Sequence, residues 1–356
     1  MKIAFHNPYP TTINAYRTIS EWYKRAFIDL GHDFKYFTPD DNFKDFFDDF
    51  EPDIFITCTH FLYQKYIDTQ YMNSLRAQNW LKVFAKLDFW ELPKWINQQR
   101  VSEAKVMKND LLLVQKIKDW EIADVFFHVV EQGDERMDGF KDVTGYNYYT
   151  IPLAVDKSLI NTEIKDNFIA DISFIWTNSP DKQDIFKKRL FPLQSKYNLK
   201  LYWQDWFFFD RCLWWVQRLW QYFNIPYLKS IRKPKLSFKD EWNIYKSSKI
   251  CINIHEKNQL LCWWDCNERT FKIPAFWWFQ IVDDVDCLKH YFIEWKEIII
   301  AKDSKDWFNK IEYYLNNPQE KAKIITAWKE KVLKNHTYHN RVEQFIDIYN
   351  IKNKNV

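Results

Sequence analysis

Residues 251–284 read CINIHEKNQLLCWWDCNERTFKIPAFWWFQIVDD, and the succession of elements in this stretch decides the fold. Lys249–Ile254 is a short apolar run of strand length. After a loop, Asn267 is placed to cap a helix, because its side-chain oxygen can accept from a free N–H of the first turn. Glu268 and Arg269 follow in that turn. Trp277–Trp278 marks a tight turn, and Phe279–Val282 is the next apolar strand. Strand, helix and strand at this spacing predict one repeat of a parallel sheet. Free N–H groups at such a helix start attract phosphate. A carboxylate there can accept the two vicinal hydroxyls of a ribose, and a guanidinium can grip phosphate oxygens in a fork.

The same alternation runs in both directions from this window. Upstream, strands are expected at Lys2–His6, Asp33–Phe37, Asp53–Cys58, Leu81–Leu87, Val125–Val130 and Tyr148–Ile151, with a helix over Ser20–Leu30 that stops at Gly31. After the polar stretch 156–167 the pattern restarts with strands at Ile172–Trp176, Lys200–Tyr202 and Glu297–Ala301. Helices are expected over Lys182–Tyr197, Trp307–Leu315, Gln319–Leu333 and His339–Tyr349. The expected fold is therefore α/β, with two Rossmann-like domains of parallel strands covered by helices on both faces. Residues 1–165 form the first domain, 166–335 the second, and 336–356 a closing helix and tail. Ligands in such sheets sit outside the carboxyl ends of the strands.

Composition narrows the function. At 356 residues the chain exceeds one ordinary domain, and 47% apolar with 28% charged residues describes a globular protein. A net charge of +3 argues against a nucleic-acid partner. The sequence shows no signal-peptide core and no run of about 20 apolar residues that would span a membrane. Six cysteines in a chain of this size predict reduced thiols and a cytoplasmic protein.

Nineteen tryptophans stand against four glycines, where average usage predicts about 25 glycines. Several of the tryptophans occupy sites suited to glycine, at Trp277–Trp278 and at the strand ends Trp176 and Trp203. The expectation is that many are UGA triplets read as tryptophan but decoded as glycine in the cell. If the tryptophans are genuine, the competing class is a non-catalytic carbohydrate-binding or structural protein that stacks indoles on sugars.

With glycine read at Trp277–Trp278, NERTFKIPAF, the Gly-Gly turn and FQIVDD, followed by EIIIAKDSKDWFNKIEYYLNNPQE and KEKVLKNHTYHNRV, resemble the group 1 glycosyltransferases. More narrowly they resemble the spore-protein-like branch, over about residues 171–345. In the first half, EWYKRAFIDLGHDF is similar to the family's first helix and second strand. The resemblance implies a GT-B fold of two facing domains, with a nucleotide-sugar donor held by the second. It places Glu268 on the donor ribose and Asn267, Arg269 and Thr270 near the diphosphate. His255 and Glu256 would face the sugar or diphosphate, and the final helix would cross back to the first domain. It further implies transfer without metal or cofactor to an unidentified glycan, lipid or protein acceptor. Two indoles at positions 277 and 278 would crowd that donor site.

Other residues are weighed on local pattern. Thr177 and Asn178 follow the strand Ile172–Trp176 and offer donors to a phosphate, and Trp203–Asp205 follows the next strand in the same way. His6, Asn7, His60 and Asp88 end strands of the first domain, and His60 or Asp88 is the expected base for an acceptor hydroxyl. Cys251, His255, Cys262 and Cys266 lack the paired spacing of a zinc knuckle. Asp284–Val285–Asp286 reads as a solvated turn. No G-x-G-x-x-G follows the first strand, even with tryptophan read as glycine, which argues against a dinucleotide oxidoreductase.

Overall fold

The computed structural model describes residues 1–8, 15–92, 106–157, 163–178, 182–203, 206, 208–222, 236–256, 259–260 and 265–354. The chain divides into two compact units. The first is Met1–Asp156 with Tyr338–Val356 and the short segment Cys262–Asp265; the second is Lys157–Leu261 with Cys266–Thr337.

The first unit is built on six parallel strands: β1 Lys2–His6, β2 Asp33–Phe37, β3 Ile54–Cys58, β4 Lys82–Lys86, β5 Val125–His128 and β6 Tyr148–Thr150, in the order β2-β1-β3-β4-β5-β6. Every residue of β3 and β5 is buried. That is why these strands read as unbroken apolar runs rather than as alternating patterns. The connecting helices start where short polar side chains accept from the first turn. Asn42 accepts from the Asp45 N–H, Asp68 from Tyr71 and Asp110 from Leu113. The closing helix Tyr338–Lys354 belongs to this unit and packs on the first helix, Ala15–Asp29. The Tyr23 ring meets Tyr338 at 4.6 Å and Phe345 at 5.9 Å.

The second unit holds β7 Ala170–Ile175, β8 Leu199–Tyr202, β9 Ser248–Asn253, β10 Gln280–Asp283 and β11 Ile300–Ala301, all parallel, in the order β11-β10-β9-β7-β8. The order reverses between β7 and β9, which opens a crevice at their carboxyl ends. The helix expected over Lys182–Tyr197 is instead a broken one. A short α turn at Gln183–Ile185 passes into a π segment, Phe186–Leu190, and then a 3-10 segment, Phe191–Ser195. Pro192 has no N–H to give and its ring crowds the carbonyl four residues back, so an α ladder cannot run through. No helix among the described residues is long and apolar enough to cross a membrane.

Candidate functional site

The crevice between β7 and β9 is organised by one guanidinium. Arg269 is buried, and it donates from Nη1 to the Ile175 carbonyl at 3.1 Å and from Nη2 to the Ile254 carbonyl at 2.8 Å. It therefore clamps the carboxyl ends of the two strands on either side of the reversal. Its Nε is buried and makes no hydrogen bond. Burial lowers the Arg269 pKa even though the Glu256, Glu268 and Asp283 carboxylates act on its charge from nearby, and a buried cation whose desolvation is only partly compensated is suited to an incoming anion.

Lys182 stands beside it, fully buried. Its Nζ donates to the Ile254 carbonyl at 3.2 Å and pairs with Glu256 Oε1 at 3.0 Å. Burial, with the Arg269 charge added, pulls the Lys182 pKa down to about 8 despite the Glu256 carboxylate. The indole of Trp176 covers both cations, with its ring centre 4.6 Å from Lys182 Nζ and 4.3 Å from the Arg269 guanidinium carbon.

Glu268 precedes the helix Arg269–Ala275. Its Oε1 accepts from Lys272 Nζ at 3.0 Å, while Oε2 has no hydrogen-bond partner. Lys272 is buried and shared, because its Nζ also lies 2.7 Å from Glu241 Oε1. Burial works against the Lys272 charge, yet the Glu241 and Glu268 carboxylates hold its pKa above the ordinary lysine value.

Several of the expected ligand residues face inward instead. Asn267 does not cap the helix. Its Nδ2 donates to Asn253 Oδ1 at 2.8 Å, and Asn253 Nδ2 donates to Thr270 Oγ1 at 3.2 Å. Thr270 Oγ1 lies 3.4 Å from His255 Nε2, and His255 Nδ1 lies 2.5 Å from Asp283 Oδ1. Asn267, Thr270 and His255 are thus links in a buried polar chain that ends on β10. Burial opposes the charged imidazolium, but the Asp283 carboxylate outweighs it and raises the His255 pKa. Buried donors and acceptors usually find partners, and this chain links five side chains, leaving the Asn267 Oδ1 without one. The helix itself has only seven residues, so Arg269 rather than a helix dipole supplies the positive charge.

Glu256 is a third exposed and tied to Lys182. Thr177 is partly exposed past the end of β7, whereas Asn178 is buried and accepts from Gln183. The turn at Trp277–Trp278 does not crowd this crevice. It lies at the far end of the helix, about 10 Å on at 1.5 Å per residue, with the Trp277 ring 3.4 Å from Lys329 Nζ. The indole that lies against the two buried cations is Trp176. Lys182 was legible only as a helix-start lysine; nothing in its neighbours marks it as buried. Gln204 and Asp205 lie outside the described residues, as does Cys262. Asp284 and Asp286 both pair with Lys289, at 3.4 and 2.7 Å, in keeping with a solvated turn.

In the first unit, His60 and Asp88 sit just past the paired ends of β3 and β4. His60 Nδ1 accepts from the Leu62 N–H at 3.3 Å as the cap of the helix Phe61–Gln64. That bond engages Nδ1 in the helix cap. The Asp88 backbone N–H donates to Thr59 Oγ1 at 3.1 Å. Its side chain borders a cavity of about 150 Å³ lined also by Thr59, Gln64, Met107 and Asp110. Burial raises the Asp88 pKa, offset in part by His60 and Lys86. His6 is a core residue: its Nδ1 lies 3.0 Å from Thr57 Oγ1, its ring packs on Phe37 and Phe55, and burial lowers its pKa to about 3.

Residues 206–347 match the glycosyl transferase-like family. No curated protein sequence matches the chain. Among solved structures, the fold is shared with sucrose-phosphate synthase from Thermosynechococcus elongatus, at a TM-score of 0.62 and 12% identity, covering 100% of both chains. It is shared with a glycosyltransferase from Rickettsia africae at 0.63 and 11%, covering 100% of this chain and 99% of that one. Anabaena HepE, solved in complex with UDP-glucose, aligns at 0.57 and 12%, covering 98% and 99%. These likenesses establish a GT-B fold of two parallel-sheet units.

Proposed function

We propose that this chain transfers a sugar from a nucleotide-sugar donor to an acceptor hydroxyl, with the donor held by the second unit. The observation that carries the reading is the buried Arg269, hydrogen-bonded to two strand-end carbonyls with its Nε left over, at the point where the strand order reverses. The donor's diphosphate adds negative charge there, and Lys182 is a second cation. The buried Oε2 of Glu268, which has no hydrogen-bond partner, is the group offered to a ribose hydroxyl. As the bond from the sugar to the diphosphate breaks, negative charge grows on the leaving phosphate, and fixed cations in a dry crevice stabilise that charge without rearranging. This is the role a metal ion plays elsewhere, so the reading is metal-independent and needs no cofactor.

In the first unit Asp88 is the better candidate to take the acceptor's proton, since its carboxyl borders a cavity and His60 Nδ1 is already engaged. Hexosyl transfer from a donor of the UDP-glucose kind is the finer proposal, prompted by the donor in the HepE complex. The test is calorimetry with UDP, GDP and UDP-glucose, followed by a nucleotide-sugar hydrolysis screen. Saturable binding of a nucleoside diphosphate with slow sugar release is expected. Binding of free oligosaccharide with no affinity for any nucleotide would replace this reading with a carbohydrate-binding module.

A further inference from the structure

The chain places tryptophan where its own backbone uses glycine. All four glycines adopt left-handed conformations, with φ of 82°, 92°, 81° and 82° at Gly31, Gly133, Gly139 and Gly145. Six other described residues have positive φ. Two are Glu51 and Asn79, and the remaining four are Trp120, Trp203, Trp277 and Trp295, at 63°, 96°, 66° and 70°. The chain also contains thirty phenylalanines and twenty tyrosines, and none of the described ones has positive φ. Large aromatic side chains as a class are therefore not entering this region; tryptophan alone is. A Cβ crowds the neighbouring carbonyl oxygen in left-handed backbone, and only glycine, with asparagine and aspartate, visits it routinely.

Two helix ends make the substitution visible. At the end of Ala15–Asp29, the Gly31 N–H donates to the Ile28 carbonyl and the His32 N–H to the Phe27 carbonyl. At the end of Leu111–Lys118, the Trp120 N–H donates to the Ile117 carbonyl and the Glu121 N–H to the Lys116 carbonyl. The two bonds have the same spacing in each case, the reverse turn that closes a helix on a left-handed residue. Asn79 closes the helix Thr69–Ala77 with the same pair of bonds, so the position is filled by glycine, by asparagine, which tolerates it, and by tryptophan, which does not. Trp277 repeats the inner bond at the end of Arg269–Ala275, donating to the Pro274 carbonyl at 3.1 Å. Beside it, the Trp278 indole N–H is buried without an acceptor. Trp203, at 96°, lies outside the ordinary left-handed basin altogether.

We infer that positions 120, 203, 277 and 295 are glycine positions, and that the cells making this protein decode UGA as glycine there. The inference stands on backbone geometry and is independent of the proposed sugar transfer. Two measurements test it. Peptides of the protein isolated from its own cells are expected to carry glycine masses at the four positions, from UGA triplets. Indole masses there, from UGG triplets, would overturn it. In recombinant protein, Trp120→Gly, Trp277→Gly and Trp295→Gly are each expected to raise Tm by about 2–4 °C, the shift that relief of ~1 kcal/mol gives at this domain size. A fall in Tm at all three would likewise overturn it. A failure of nucleotide binding in the same variants bears on the function and leaves both readouts intact.

Discussion

The indole of Trp176 lies flat enough on Arg269 to bring its ring centre within 4.3 Å of the guanidinium carbon. A cation over an aromatic face gains about 1–2 kcal/mol when desolvated, which is less than a phosphate would contribute at the same place. Under the proposed function the indole covers the place that the diphosphate would take. Removing it is expected to raise affinity for a nucleoside diphosphate. Trp176→Gly should strengthen UDP or GDP binding at least about tenfold, or ~1.4 kcal/mol, measured by calorimetry. Unchanged affinity would mean that the crevice is not the diphosphate site.

Arg269 offers a test that separates structure from binding. Replacing a buried charge with an apolar side chain of similar length is often neutral for stability, although here two carbonyls lose their donor. Arg269→Met is expected to change unfolding free energy by no more than about 2 kcal/mol. Diphosphate affinity should fall roughly 10- to 100-fold, the worth of a charge-assisted hydrogen bond. Large destabilisation together with intact binding would show Arg269 to be a strut between two strands and nothing more.

The parallel strands were legible because burial on both faces leaves a local signature, as in Ile54–Cys58. The broken helix after β7 was less so: Lys182–Tyr197 keeps helical spacing of its apolar residues while Pro192 prevents the regular ladder. The site was legible in part. Arg269 and Glu268 could be singled out from their position after a cap, but their directions could not. Arg269 is fixed by carbonyls at positions 175 and 254, and Asn267 is turned away by Asn253. These are pairings between distant segments, and no window of sequence around position 268 encodes them. Lys182 was missed for the same reason, since a lysine at a helix start is usually solvated and only the assembled sheet buries it.

Glu268 can be tested through the sugar of the nucleotide rather than its phosphates. Its Oε1 is engaged by Lys272 and its Oε2 has no partner. Glu268→Gln is expected to weaken UDP binding about tenfold or more, and to leave 2′-deoxy-UDP nearly unaffected. Equal losses for both ligands in a calorimetric comparison would place the carboxylate away from the ribose.

Lys182 links stability and binding with opposite signs. Its pKa is about 8 in the folded protein against 10.5 for a free lysine. Between those values the unfolded chain binds more protons than the folded one, so stability rises with pH across that window. Below about pH 8 both states are protonated and the cost of the buried charge is present in full, of order 3 kcal/mol at 1.36 kcal/mol per unit. Binding should run the other way. As Lys182 loses its proton above pH 8, the crevice loses one of its two cations and diphosphate affinity should fall. Unfolding in denaturant and nucleotide titrations, each from pH 7 to 10, are expected to cross in this manner for the wild type. In Lys182→Met the rise in stability over that range should flatten, and the pH dependence of affinity should flatten with it. If the wild-type affinity is constant from pH 7 to 10 while its stability climbs, Lys182 does not touch the diphosphate.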